Sequence, residues 1–203
     1  MSSAKELRRH ARESLQGNWS KAVMVSLLYL FFYYVLPNLF DSGTYDRFKL
    51  DPNTDDTFTI MDGLGLVYWI LTSGAFHIGI SFCFLRLIRK EEFSELDLFS
   101  SFRSGDSFLR SIVYYVLYFI YLFFWSLLLI IPGIIKSFSY ALTPYILVDD
   151  AEITPNEAIT KSRKLMDGNK MRLFLLQLSF MGWFILSILT LGIGFIWFVP
   201  YYL

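Results

Sequence analysis

Four stretches of the chain carry no charged side chain and are long enough to cross a bilayer as helices: Ala22 to Phe40, Gly63 to Leu85, Ser111 to Ile135 and Leu173 to Leu203. A hydrocarbon layer of about 30 Å needs roughly 20 helical residues, so each run supplies at least one crossing. In "LLLIIPGIIKSFSYALTPYILVDD" (Leu127 to Asp150), Pro132-Gly133 can end one helix and open the next. The pattern predicts Ser111 to Ile131 leading out and Gly133 to Val148 returning, with Lys136 snorkelling to the outer interface. A re-entrant segment is the alternative. The last run has 31 residues, which would be about 46 Å as one helix. Gly192 and Gly194 predict a turn there, so helix five closes near Thr190 and a sixth follows. That sixth helix would stop inside the membrane at Leu203, where a terminal carboxylate is costly. Either the chain is shorter than its fold requires, or the fifth helix is long, tilted and ends outside.

Between these runs the pattern changes from continuous apolar to period 3.6. "SAKELRRHARESLQGNW" (Ser3 to Trp19) and "TPNEAITKSRKLMDGNK" (Thr154 to Lys170) align at a constant offset, with identities at Glu6/Glu157, Arg12/Arg163, Gly17/Gly168 and Asn18/Asn169. Each begins with a hydroxyl residue, Ser3 or Thr154, followed three residues later by Glu, the pattern of a capping box. Each closes at a glycine, Gly17 or Gly168, suited to the left-handed conformation that ends helices. Leu7, Ala11 and Leu15 share one face, as do Ala158, Ile159, Ser162, Leu165 and Met166, while Arg8, Arg9, Arg12, Lys161, Arg163 and Lys164 take the other. A looser third copy is "SELDLFSSFRSG" (Ser94 to Gly105), with Ser94 and Asp97 as the cap pair and Leu96, Phe99 and Phe102 as the apolar stripe. The chain thus reads as one integral membrane domain, 1–203, built of three units at 3–85, 94–148 and 154–203, each a surface helix followed by a helical hairpin. The fold class is an all-α polytopic membrane bundle of about six transmembrane helices.

Charge placement orients this bundle. The segments Met1 to Lys21, Arg86 to Arg110 and Lys161 to Arg172 hold five Lys or Arg each, fifteen of the eighteen basic residues, whereas the loop Asp41 to Asp62 has two beside six aspartates. The positive-inside rule puts the three basic segments and the N-terminus in the cytoplasm and the acidic loop outside. Two cytoplasmic segments need an even number of crossings between them, which is why the third run must turn back. Basic helices there would contact membrane lipids or a cytoplasmic protein partner; they also serve as interfacial anchors with no partner at all.

Composition agrees: 55% of residues are hydrophobic and 18% charged, with no net charge, outside the soluble profile. The first hydrophobic run lacks the short core and cleavage site of a signal peptide and is read as retained. Cys83 is the single cysteine, so neither an intramolecular disulfide nor a Cys-rich metal site forms. His77 is the one ionisable residue inside a clear span, on a face with Ser73 and Ser81 and opposite Ala75, Gly79 and Cys83. It is a candidate polar site for proton relay or substrate; hydrogen bonding to a neighbouring helix is the commoner use of such a residue. Tyr114, Tyr118, Tyr121 and Trp125 form one stripe on the third run, which reads as helix packing. No metalloprotease, nucleophile-elbow, phosphate-loop or nucleic-acid pattern occurs, so no enzyme activity, cofactor, metal or nucleic-acid partner is expected, and nothing specifies an oligomer.

"ARESLQGNWSKAV", "RKEEFSELDLF", "WSLLLIIPGIIKSFSYALTPYILVDD", "AITKSRKLMDGNK" and "LQLSFMGWFILSILTLGIGFIWFVPYY" together resemble an uncharacterised family of bacterial multi-pass membrane proteins, domain of unknown function 975. The "PGI…A…SRKL" portion is more faintly similar to the membrane domain beside some glycerophosphodiester phosphodiesterases. The resemblance implies a bacterial cytoplasmic membrane, in a Gram-positive lineage, and no assigned activity; family members continue beyond "PYY". The expectation is a non-enzymatic accessory or scaffold protein with cytoplasmic docking helices, the alternative being a small transporter or transporter subunit built from pseudo-repeated hairpins.

Overall fold

The computed structural model describes residues 4–39, 60–190 and 194–202, and all regular structure among them is helical. In order these are α1 (Ala4–Leu15), α2 (Trp19–Asn38), α3 (Ile60–Arg89), a 3₁₀ helix (Glu95–Phe102), α4 (Gly105–Leu128), α5 (Ile130–Tyr140), α6 (Thr143–Asp149), α7 (Pro155–Leu165), α8 (Lys170–Leu189) and α9 (Phe195–Tyr202). Among the described residues five stretches are long and apolar enough to cross a membrane: α2, Gly63–Arg89 of α3, α4, α5 with α6, and α8. The expected Ser3 cap, the acidic loop up to residue 59 and Gly192 lie outside the described residues. The loop's expected end, Ile60 to Asp62, already belongs to α3.

Helix α3 is the hub. In the most apolar window of each helix, 56% of residues are buried for α3, against 11% for both α4 and α8, so α3 is wrapped by protein while the others keep a lipid-facing side. It supplies Phe76, Ile80, Cys83, Phe84 and Leu87 to a core shared with α1, α2 and the 3₁₀ helix, and Ile78 to a second core with Tyr114, Ile146, Leu147 and Ala158. Two glycines permit this. A Cβ added at Gly74 would sit 2.0 Å from the Ser111 carbonyl oxygen of α4, and one at Gly79 would sit 2.0 Å from that of Leu98 in the 3₁₀ helix. The small-residue face Ala75, Gly79 and Cys83 therefore packs against the 3₁₀ helix, with all three residues buried.

The helices break where proline chemistry requires, though not always where the sequence reading put the break. Pro37 has no N–H for the Tyr33 carbonyl, and α2 absorbs the mismatch in a π turn at Phe31–Val35, where Leu36 N–H bonds the Phe31 carbonyl. The α4–α5 hairpin turns at Leu129 (φ −165°, ψ 144°), three residues before the expected Pro132-Gly133. Turning at Leu129 places Pro132 in the first turn of α5, where no intrahelical donor is needed. Gly133 is not the breaker but a contact point: an added Cβ would lie 2.4 Å from Ser126 Oγ across the hairpin.

The expected single return helix, Gly133 to Val148, is two helices separated by a turn at Ala141 and Leu142, with Pro144 at the start of α6. At the C-terminal end, α8 closes at Leu189 as expected. The sixth helix exists as α9, but its eight residues give only about 12 Å, too short to cross. The third capped segment is a 3₁₀ helix in which Leu98 and Ser101 are buried; of the expected stripe, Phe99 and Phe102 pack on Phe76, whereas Leu96 is exposed.

Gly79→Ala should destabilise the protein by about 1 to 3 kcal/mol, the usual cost of overpacking a close contact. An exposed control such as Gly182→Ala, which has nothing within 4 Å of an added Cβ, should lower thermal stability in detergent far less. Equal melting points for the two variants would contradict the close-approach account.

Candidate functional site

The two copied helices end and pack alike. At α7, Thr154 Oγ1 accepts from Glu157 N–H at 3.4 Å and the Glu157 carboxylate accepts from Thr154 N–H at 3.0 Å, closing the predicted capping box. Glu157 is held below the usual carboxylate range by hydrogen bonds from the Thr154 hydroxyl and backbone. Gly17 and Gly168 both adopt positive φ, +83° and +74°. Leu15 of α1 and Ala158, Ile159 and Ser162 of α7 are buried, whereas Arg9, Arg12, Lys161, Arg163 and Lys164 are exposed. Arg8 is half-buried, its guanidinium reaching the Ser179 carbonyl of α8, and its own carbonyl accepts from the Tyr201 hydroxyl at 3.1 Å. The inward faces of both helices thus lie on protein, and their outward faces carry the cations.

Ser162 does more than fill space. Its hydroxyl donates to the Ser139 carbonyl at 2.8 Å and accepts from Leu142 N–H at 3.2 Å, so α7 satisfies the backbone groups freed where α5 gives way to α6. In an apolar surrounding an interruption of this kind persists only where something re-satisfies it. The sequence signal for the break was Thr143-Pro144; the identity of its partner was not legible.

The Ser73, His77 and Ser81 face exists, but it does not converge on a common point. His77 Nδ1 shares a 2.9 Å hydrogen bond with the buried Tyr114 hydroxyl of α4. Ser73 and Ser81 donate to carbonyls on their own helix, those of Trp69 and His77, and are reached by the hydroxyls of Tyr115 and Tyr145 respectively. Three polar residues one turn apart each meet a tyrosine from a neighbouring helix. The arrangement is a packing ladder of the kind expected for a lone membrane histidine.

The aromatic stripe behaves in the same way. Tyr118 and Tyr121 pack on Tyr140 with ring centroids 6.2 and 6.3 Å apart, Tyr121 donates to Asn156 at 2.9 Å, and Trp125 receives the Lys136 ammonium 4.1 Å from its ring. The charges of Arg163 and Lys170 also reach Lys136. Lys136 is therefore not isolated but lies near these cations, against the Trp125 ring.

A polar cluster gathers at the other end of α3. Asp97 is buried and accepts from Ser94 N–H and the Arg103 guanidinium, both at 2.9 Å, with Arg86 at 3.5 Å. Burial opposes its ionisation, but the Ser94 and Arg103 hydrogen bonds and the charges of Arg86 and Arg103 together outweigh it and hold the carboxyl below its ordinary value. Nearby Arg89 pairs with Asp149 at 2.8 Å, tying α3 to α6. The cap pair was legible in "SELD"; the two arginines were not, because their approach depends on the 3₁₀ helix folding back along α3. Among the described residues no group of three or more His, Cys, Asp or Glu converges on a metal position, and Cys83 is buried in the core.

A family model described as a protein of unknown function, DUF975, matches the chain over residues 1–139 and again over 127–203. No curated protein and no solved structure matches it.

Because the folded value of Asp97 lies below its unfolded value of about 3.9, its stabilisation should be fully present above roughly pH 4 and lost as pH falls through the folded value. Melting curves in detergent at pH 7 and pH 3 should show a fall that Asp97→Asn diminishes; an equal fall in the variant would remove Asp97 as the cause. Tyr114→Phe should cost about 1 to 3 kcal/mol by leaving His77 without its partner. A double-mutant cycle with His77→Leu should then be non-additive, and additive costs would count against the pairing.

Proposed function

The chain belongs to the DUF975 family of proteins of unknown function, and on that premise we propose that it is a non-enzymatic integral membrane protein of the bacterial cytoplasmic membrane. It acts as an accessory or scaffold component whose N-terminus and basic amphipathic helices lie on the cytoplasmic side. The observation that carries this reading is the division of faces on α1 and α7. Their apolar sides, apart from the exposed Leu165, are taken up by the bundle, and Arg9, Arg12, Lys161, Arg163 and Lys164 are exposed. A helix already anchored by protein contacts does not need its cations for packing. Arg9 pairs with Glu13 at 3.5 Å and Arg12 lies over the Tyr201 ring, which leaves Lys161, Arg163 and Lys164 to meet anionic lipid, at about 1 kcal/mol per basic residue near such a surface, or an acidic partner.

The transporter alternative draws support from helix interruptions at Leu129 and at Ala141 and Leu142, since broken helices line transport sites. Against it, the His77 neighbourhood is filled by Tyr114 and Tyr118 at ring distances of 5.9 and 6.5 Å.

Cysteine labelling in sealed vesicles tests the orientation. Ser162 is buried and hydrogen-bonded, so the exposed neighbour Lys161 is the position to use. Lys161→Cys and Arg9→Cys should label only from the cytoplasmic side, and Lys136→Cys should share the side of Lys161. External labelling of Lys161→Cys would overturn the orientation. Charge reversal at Lys161, Arg163 and Lys164 should give mixed insertion or lose a captured partner; an unchanged labelling pattern together with unchanged pull-downs would remove the docking role.

A further inference from the structure

Beside α1 lies an open cavity of about 250 Å³ between α1, α2, α8 and α9. Three of the five tryptophans, Trp19, Trp183 and Trp197, line it together with Arg12 and Tyr201. The hydroxyls in its wall are already engaged: Ser187 donates to the Trp183 carbonyl at 2.8 Å, and Thr190 donates to the Ser187 carbonyl at 2.9 Å while accepting from Gly194 N–H. Among the described residues Arg12 is the one charged group on the cavity wall. Its guanidinium lies 5.8 Å from the Tyr201 ring centroid and, among the described residues, pairs with no carboxylate.

We infer that this cavity holds the hydrocarbon chain of a long-chain carboxylate, with Arg12 at its mouth binding the anionic head. The assignment rests on the reading that α1 lies at the membrane surface. Indole walls suit an apolar chain, and a guanidinium presents the paired donors that a carboxylate accepts. Arg12 is exposed, so the ion pair forms at the cavity entrance and avoids the desolvation cost of a buried one. A smaller apolar cavity of about 130 Å³ lies against the same Tyr201, on the side of α1 that carries Arg8.

Quenching of tryptophan fluorescence tests this in the full chain, purified in non-ionic detergent at pH 8, with Trp69→Phe and Trp125→Phe removing the two indoles outside the cavity. Three probes are titrated: a brominated long-chain fatty acid, the brominated alcohol of equal length, and brominated phosphatidylglycerol. The acid should quench saturably, with an affinity about tenfold above the alcohol's, the scale of one charge-assisted hydrogen bond. Arg12→Gln should bring the acid down to the alcohol's level and leave the alcohol unchanged, and Arg12→Lys should restore part of the preference. Equal quenching by acid and alcohol in the parent protein, a preference that survives Arg12→Gln, or tighter saturable quenching by phosphatidylglycerol would each overturn the assignment. Circular dichroism of each variant separates lost binding from lost fold. Failure of the membrane-surface reading is seen separately, as an Arg9→Cys that labels from neither side, whatever the quenching result.

Discussion

Close backbone contact at two glycines of α3 sets the spacing on which the rest of the bundle depends. Where a carbonyl oxygen stands 2.0 Å from the position a Cβ would take, no side chain larger than hydrogen fits. Gly74 admits α4 and Gly79 admits the 3₁₀ helix. Once those backbones are seated, His77 comes within hydrogen-bond distance of Tyr114, and Phe76 comes against Phe99 and Phe102 at ring distances of 5.8 and 5.3 Å. In a bilayer, where lipid competes with apolar side chains for contact, packing of this closeness is what distinguishes helix against helix from helix against lipid.

The second constraint is that an apolar surrounding does not hydrogen-bond an interrupted helix. Two of the breaks carry their own remedy. The π turn of α2 re-routes the donor of Leu36 to Phe31. The gap between α5 and α6 is closed by Ser162 from a different helix. That second remedy ties the copied helix α7 into the bundle, so the segment that presents Lys161, Arg163 and Lys164 outward also holds the fourth apolar stretch in shape. Helix α1 is held by comparable means, through Arg8 and Tyr201, and the tryptophan-lined cavity lies beside it.

Much of this was legible before any coordinate. The capping boxes at Thr154 and Ser94, the closing glycines Gly17 and Gly168 and the end of α8 near Thr190 all follow from local rules of helix termination and appear where those rules put them. Errors arose where two local rules competed. Pro132-Gly133 reads as a turn, yet proline is equally at home in a first helical turn, and the chain takes that option by breaking at Leu129. "SELDLFSSF" reads as α-helical, yet its eight residues wind as a 3₁₀ helix against Gly79, with Leu98 and Ser101 buried and Leu96 left exposed.

What the sequence determined by itself was the class of the molecule, its helical content and the faces of its helices, because uncharged length, period and capping residues act within a few positions of one another. The face of Ser73, His77 and Ser81 is one example. Their partners Tyr115, Tyr114 and Tyr145 were decided only by the tertiary structure, as were the arginines around Asp97, the repair of the α5–α6 gap by Ser162, and the meeting of Arg12 with three tryptophans. Each of these joins side chains from different elements, and their distances follow from how closely the backbones approach rather than from any spacing along the chain.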